Sequence, residues 1–285
     1  MSNKTRASAA AVVSAMTVLA TAGLSAAPAH ADLLDDVKSR GTLRCGVMLD
    51  FPPAGFRNAD GEAAGFDVDY CGDLAKTLGV EYEVVETPSP DRIPALISGR
   101  VDVSVAGASI TAERAQTIDF SRPYATYPWV VVTKEANGIG AFEDLASRTV
   151  GGVRGTLPEI MMKAYSDENW SGEGYKYLSY NSDSEKNLAL DQGRIEAFVG
   201  VATAAAATVS LPQFSEFEIC CEAPFDPDIV GMMVRKNEPA MLDAANAFVA
   251  EQIESGRYQE LYQKWYGLDG PDVPETADAV LAPQG

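Results

Sequence analysis

The chain has 285 residues, 46% of them apolar, and a formal net charge of −19. This length and apolar fraction suit one large globular domain or two lobes of ordinary size. The acidity excludes nucleic acid and anionic membrane surfaces as partners, while leaving room for a local cationic pocket that receives a small anion.

Residues 1–31 open on the basic head MSNKTR, continue as a small-residue-rich apolar run, and close on Ala29-His30-Ala31, the small-x-small pattern of a cleavage site. They read as a secretory signal cut before Asp32. The alternative, a membrane anchor, lacks a stop-transfer pattern, and no cysteine follows the run to carry a lipid. With Lys4 and Arg6 removed, an exported chain of 254 residues carrying −21 remains. His30 is the only histidine and leaves with the signal. Serine–histidine and cysteine–histidine nucleophiles are thereby excluded, as are zinc sites built on imidazole, and no cofactor is expected.

Beyond Asp32 two periods alternate. TLRCGVM and EYEVVE read as strands, and in VDVSVA the residues Val101, Val103 and Val105 alternate with Asp102, Ser104 and Ala106. Between them DVDYCGDLAKTLG sets Cys71, Leu74, Ala75 and Leu78 on one helical face and stops at Gly79; DRIPALISG is a short helix ending at Gly99. The strand–helix–strand order restarts in ASRTVGGVRGT, runs through the helix LPEIMMKAY, and reaches SDSEKNLALDQG, where Ser182 and Glu185 form a capping box, before the strand RIEAFVG. ATAAAATV reads as a helix, and two apolar-faced helices, over PAMLDAANAFVAEQIESG and RYQELYQKWYG, end the fold. The terminal aromatic helix is expected in the core, and residues 271–285 as a loose tail.

Two α/β units are joined by SRPYATYPWVVVTK, and the chain returns through DIVGMMVRK. One lobe is expected over 32–126 with 232–270, the other over 127–231, each a mostly parallel sheet flanked by helices, with a ligand cleft at the two-strand hinge. Four cysteines remain in the exported chain. Cys45 stands on a strand and Cys71 on the helix that packs over it, which suits a disulfide; two buried free thiols are the alternative. A bridge between the neighbours Cys220 and Cys221 is strained and is not assumed.

The stretch AGASITAER, residues 106–114, carries the chemistry. Ala106, Gly107 and Ala108 let a ligand approach the main chain, Ser109 adds a hydroxyl, and Arg114 has the forked guanidinium that grips a carboxylate. Without its surroundings Arg114 reads as a surface ion pair with Asp119 or Glu113. Its surroundings, GFDVDY, then RIPAL, then the run from Thr111 to Tyr124, resemble the periplasmic substrate-binding proteins of polar amino-acid ABC transporters, the family 3 solute-binding proteins. The resemblance runs from about Leu34 to Leu268 and implies the two-lobed type II periplasmic-binding-protein fold, a small carboxylate ligand, an ABC permease as partner, and a monomer.

Carried over on matching positions, the resemblance implies that Gly107, Ser109 and Arg114 hold an α-carboxylate from the first lobe, met by Thr156 at a helix start in the second. Ser89 and Arg92, in PSPDRIP, match a pair that holds a side-chain carboxylate in binders of acidic amino acids, so two arginines point to a ligand with two acids. Phe51 matches an aromatic position against the ligand side chain, with core packing as its alternative. The departure is Val201, where the family usually has the aspartate that meets the α-ammonium; Met48, a position that can be acidic in binders of basic amino acids, is also apolar. Either Glu159 or Asp50 takes the ammonium, or the ligand has none and is an amine-free dicarboxylate. Of the competing classes, a dehydratase-like enzyme on the same scaffold needs a cleft carboxyl as general acid, for which Glu159 is the candidate. A receptor sensor domain needs a transmembrane segment or a fused signalling domain, and neither is visible. The reading is a binding protein rather than an enzyme.

Overall fold

The computed structural model describes residues 32–170 and 174–281, so the expected secretory signal lies outside the described residues. Two five-stranded sheets organise the chain. The first runs Glu81–Glu86, Thr42–Val47, Val103–Ser109, Asp228–Arg235, Ile118–Tyr127 in spatial order. Its first three strands are parallel, and Asp228–Arg235 is antiparallel to both neighbours. The second runs Lys176–Tyr180, Thr149–Val153, Ala197–Val201, Trp129–Lys134, Phe217–Glu222, again three parallel strands followed by two antiparallel pairings.

The parallel pairs follow from the alternation of strands and helices, because a helix must cross one face of the sheet before the chain can re-enter in the same direction. Val103–Ser109 shows the result: all of it is buried except Gly107, as expected of a strand covered on both faces. The helix Phe66–Leu78 buries Phe66, Tyr70, Cys71, Leu74 and Ala75 and ends at Gly79 with a φ of 73°, a conformation glycine adopts without strain. It carries Cys71 to Cys45 on Thr42–Val47, with the two Cα atoms 6.4 Å apart in a disulfide. The link spans 26 residues. Replacing both cysteines with serine is expected to lower unfolding free energy by about 3–4 kcal/mol, read as a shifted urea midpoint.

The helices Pro239–Glu254 and Arg257–Tyr266 close the first sheet. Phe66, Tyr70, Tyr124, Phe248, Tyr258, Tyr262 and Tyr266 form one aromatic cluster, with neighbouring ring centroids 4.4–6.3 Å apart. The terminal aromatic helix is core.

Two features differ from the sequence reading. Residues 277–281 are not loose: Ala277–Leu281 is a helix whose Ala277, Val280 and Leu281 pack on the cluster containing Ile118, Phe120 and Met233. Spaced three and four apart, these residues make an apolar stripe that the surrounding prolines obscure. The return strand also belongs to the first sheet from Asp228 onward, where Asp228 pairs with Tyr127, so the crossing falls at residues 223–227 rather than near 231. The outgoing crossing is Pro128. Among the described residues no helix is long and apolar enough to cross a membrane.

Candidate functional site

The carboxyl ends of the parallel strands converge. Met48 follows Thr42–Val47, Ser89 follows Glu81–Glu86, Ser109 ends Val103–Ser109, and Val153 and Val201 end their strands in the second sheet. Ligands of open α/β sheets bind at such ends. Here the ends wall an open cleft of about 800 Å³, counted out into the solvent at its mouth. Phe51, Ser89, Arg92, Gly107, Ser109, Thr156 and Val201 all line it. Ala106 and Arg114 do not. Ala106 turns its carbonyl to Arg92, and Arg114 lines an adjoining open pocket together with Ser89, Arg92 and Gly155.

Both arginines are buried, at 5% and 9% exposure, yet their hydrogen bonds run to main-chain carbonyls. Arg92 donates to Ser89 O at 3.3 Å and Ala106 O at 2.7 Å. Arg114 donates to Ser109 O and to Gly155 O, in the turn after the second-sheet strand Thr149–Val153, each at 2.8 Å. Burial, with the nearby Arg114 charge next, lowers the pKa of Arg92 to about 10. Two guanidinium groups that repel one another and lack a hydrogen-bonded carboxylate favour an anion between them.

The acid facing them is Asp228, which the sequence reading missed. Ser109 Oγ donates to Asp228 Oδ2 at 3.1 Å, while Oδ1 is buried with no hydrogen-bond donor among the described residues. Burial pushes the Asp228 carboxyl up to about 6 against the pull of the Ser109 hydroxyl, Arg114 and Arg92. Its strand is 119 residues from Ser109 in sequence, and no local pattern marks it. Asn187, also on the cleft, has a buried amide oxygen that likewise accepts nothing among the described residues.

The two candidates named for the ammonium behave differently. Asp50 lines the cleft, but its Oδ2 accepts the N–H groups of Asp183, at 2.8 Å, and Ser184, at the start of the helix Asp183–Asp191. A carboxylate at a helix N-terminus is well satisfied. Burial, with the Asp183 carboxylate next, nevertheless raises its pKa. Glu159 does not line the cleft. It accepts Gly155 N–H and Lys163 Nζ, each at 2.7 Å, and the Ser179 hydroxyl. Burial works to raise its carboxyl, but Lys163, Ser179 and the Gly155 N–H outweigh it and hold it below the ordinary value. Glu159 is thus engaged by Lys163, Ser179 and Gly155 away from the cleft lining. The Glu159–Lys163 spacing was the available signal, since residues four apart pair on a helix.

Other polar groups complete the walls. Lys186 pairs with Asp183, and its ammonium lies over the Phe198 ring, 4.1 Å from the centroid. Ser89 Oγ donates to Met48 Sδ at 3.3 Å. Thr156 precedes the helix Leu157–Asn169, with its hydroxyl donating to Val153 O at 2.6 Å. Gly107 sits at φ 53°, held from behind by Tyr124, whose hydroxyl accepts the Gly107 N–H at 3.0 Å and donates to Asp67 at 3.3 Å. A Cβ at Gly107 would lie 3.7 Å from the Phe51 ring in a conformation that L side chains rarely adopt.

Asp67 is buried, and that burial raises its carboxyl to about 7 against Tyr124 and Arg92. Asp67 and Asp228 both stand above the ordinary carboxylate value of about 4. Between that value and their own, the folded chain keeps a proton that the unfolded chain has lost, so stability falls as pH rises. The expected loss in the unliganded protein runs through about 6 for Asp228 and about 7 for Asp67, and is level above. Each pH unit within a window lowers stability by up to about 1.4 kcal/mol per group. Melting temperatures across that range check it, and Asp67→Asn should flatten the upper part.

Fold and cleft together define a two-lobed α/β solute-binding protein of the type II periplasmic-binding-protein fold. Residues 43–268 match the family of bacterial extracellular solute-binding proteins, family 3, and the chain belongs to that family. It is 32% identical over 262 residues to the L-cystine-binding protein TcyJ of Escherichia coli, covering 91% of this chain and 96% of that one. Among solved structures, an ancestral arginine-binding protein bound to arginine is 35% identical with a TM-score of 0.74, covering 80% of this chain and 99% of that one. The ancestral amino-acid-binding protein AncCDT-1, a precursor of cyclohexadienyl dehydratase, is 32% identical with a TM-score of 0.73, covering 82% and 99%.

Proposed function

We propose that the chain is the periplasmic solute-binding component of an ABC importer, and that it captures a zwitterionic polar amino acid between two lobes hinged at Pro128 and residues 223–227. The observation that carries the reading is Asp228. A buried carboxylate on the cleft wall, with one oxygen lacking a donor among the described residues, offers the ammonium partner that Val201 does not. Ser109 and the helix start at Thr156 supply the carboxylate side from the cleft wall, and Arg114 adds its charge from the adjoining pocket.

Charge balance narrows the ligand. Arg92, Arg114 and Lys186 stand in or beside the cleft with Asp50, Asp183 and Asp228, a formal sum of zero. A neutral zwitterion keeps that balance, whereas a basic or amine-free acidic ligand upsets it by at least one charge in a desolvated site. Neutral relatives of the ligand class include cystine, which a similar binding protein is named for. An acidic amino acid is the second reading, favoured by Arg92, whose hydrogen bonds run only to main-chain carbonyls among the described residues. The reading as a binding protein rather than an enzyme is supported by the salt-bridged state of Glu159 and by a sequence whose only histidine is His30.

Thermal shift with L-cystine, L-glutamine, L-glutamate, L-arginine and glutarate tests the proposal. A cognate ligand at about 1,000 times its Kd adds about 4 kcal/mol. A neutral amino acid is expected to give the largest shift and glutarate none. A shift with glutarate alone would overturn the ammonium site, and one with arginine alone the charge argument.

A further inference from the structure

Cys220 and Cys221 lie on Phe217–Glu222, the edge strand of the second sheet, just ahead of the crossing that leads to Asp228. In a regular strand, neighbouring side chains point to opposite faces. Here the register shifts: Ile219 is opposite Val132 and Cys221 opposite Val131, which leaves Cys220 as an extra residue. Such a bulge kinks and twists the strand locally, and the two sulfurs stand 3.0 Å apart. Both residues are only partly exposed.

We propose that Cys220 and Cys221 form a redox-labile pair that cycles between two thiols and a vicinal disulfide, separate from the Cys45–Cys71 link. The geometry distinguishes the two pairs. Cys45 and Cys71 are fully buried in the first core. The second pair is solvent-accessible on an edge, and the Cα atoms of adjacent residues, about 3.8 Å apart, are closer than an unstrained disulfide prefers. Accessible, strained disulfides are the more easily reduced. Burial, with the neighbouring Cys221 next, pushes the Cys220 thiol up to about 12, and burial also raises that of Cys221. The pair therefore holds its protons at neutral pH, so exchange with an external disulfide is slow there and quickens as pH rises.

In the oxidative step, one S–S bond forms between Cys220 and Cys221. Their two protons and two electrons pass to an external disulfide of the glutathione class, which leaves as two thiols. The reverse step consumes two such thiols and releases the disulfide.

The test equilibrates the full protein in graded mixtures of reduced and oxidised glutathione, traps free thiols by alkylation, and maps the labels by mass spectrometry. Under oxidising mixtures the peptide spanning the pair is expected unlabelled and lighter by two hydrogens. At intermediate mixtures it should carry two labels while Cys45 and Cys71 stay unlabelled. Two labels on the pair in the most oxidising mixture, a glutathione adduct or a chain-to-chain disulfide in its place, or opening of both pairs at one mixture would each overturn the proposal. Cys221→Ser, with its fold checked by circular dichroism, is expected to collect a glutathione adduct on Cys220, because no neighbour expels it. An unmodified Cys220 in that variant would show the site closed to the oxidant and overturn the proposal as well.

Discussion

Asp228→Asn is expected to weaken amino-acid binding by about two to three orders of magnitude, because it leaves a buried ammonium without its charged partner, a loss of about 3–5 kcal/mol. The unliganded variant should nevertheless be more stable than its parent at neutral pH. Burial raises the parent carboxyl to about 6, so its ionisation at neutral pH opposes folding, and the amide removes that term. Affinity and stability thus move in opposite directions, which a merely structural role for Asp228 would not produce. The pH dependence follows with its sign. Below about 6 Asp228 holds a proton that ammonium binding must expel, so the parent Kd should rise roughly tenfold per pH unit there while the variant stays flat. Isothermal titration across that range measures both. A variant that binds within threefold of its parent would remove Asp228 from the site.

Arg114→Lys is the second large effect, an expected loss of about two orders of magnitude. The guanidinium uses separate Nη atoms for Ser109 O in the first sheet and Gly155 O in the turn after Thr149–Val153. A lysine ammonium is a point charge on a flexible stem and cannot keep both contacts while presenting a fork to a carboxylate. Because Arg114 also acts on Asp228 electrostatically, the double variant with Asp228→Asn should lose less than the sum of the singles. Glu159→Gln serves as the contrast. It removes the charge facing Lys163 and one of the two oxygens that accept Lys163, Ser179 and Gly155 outside the cleft, so it should lower melting temperature and leave affinity within about threefold. Equal losses for Glu159→Gln and Arg114→Lys would mean that the clamp is being read through the fold rather than through contact.

Much of the architecture was legible because its causes are local. The alternation in VDVSVA, the apolar face ending at Gly79 and the cap at Ser182 are short-range patterns, and each became the expected element. The tail helix Ala277–Leu281 escaped because five residues carry too little periodicity against flanking prolines. The edge strands Lys176–Tyr180 and Phe217–Glu222 escaped because neither is fully buried and neither carries the adjacent valines that mark the edge strand Glu81–Glu86.

In the site, the sequence pointed to the run from Gly107 to Arg114 and to the absence of an acid at Val201 through its resemblance to the family, each position falling within its own stretch of matching pattern. Tertiary structure alone brought forward Asp228, the acid proposed in its place. Asp228 reaches Ser109 only because Asp228–Arg235 pairs antiparallel with Val103–Ser109, a register set by side-chain burial across 119 residues of chain. By the same long-range packing Asp50 is taken by a helix start of the second unit, Glu159 turns away from the cleft, and Asp183 and Lys186 enter it. A carboxylate in a sequence looks the same wherever it points; its burial and its neighbours, which only the folded chain supplies, give it a function.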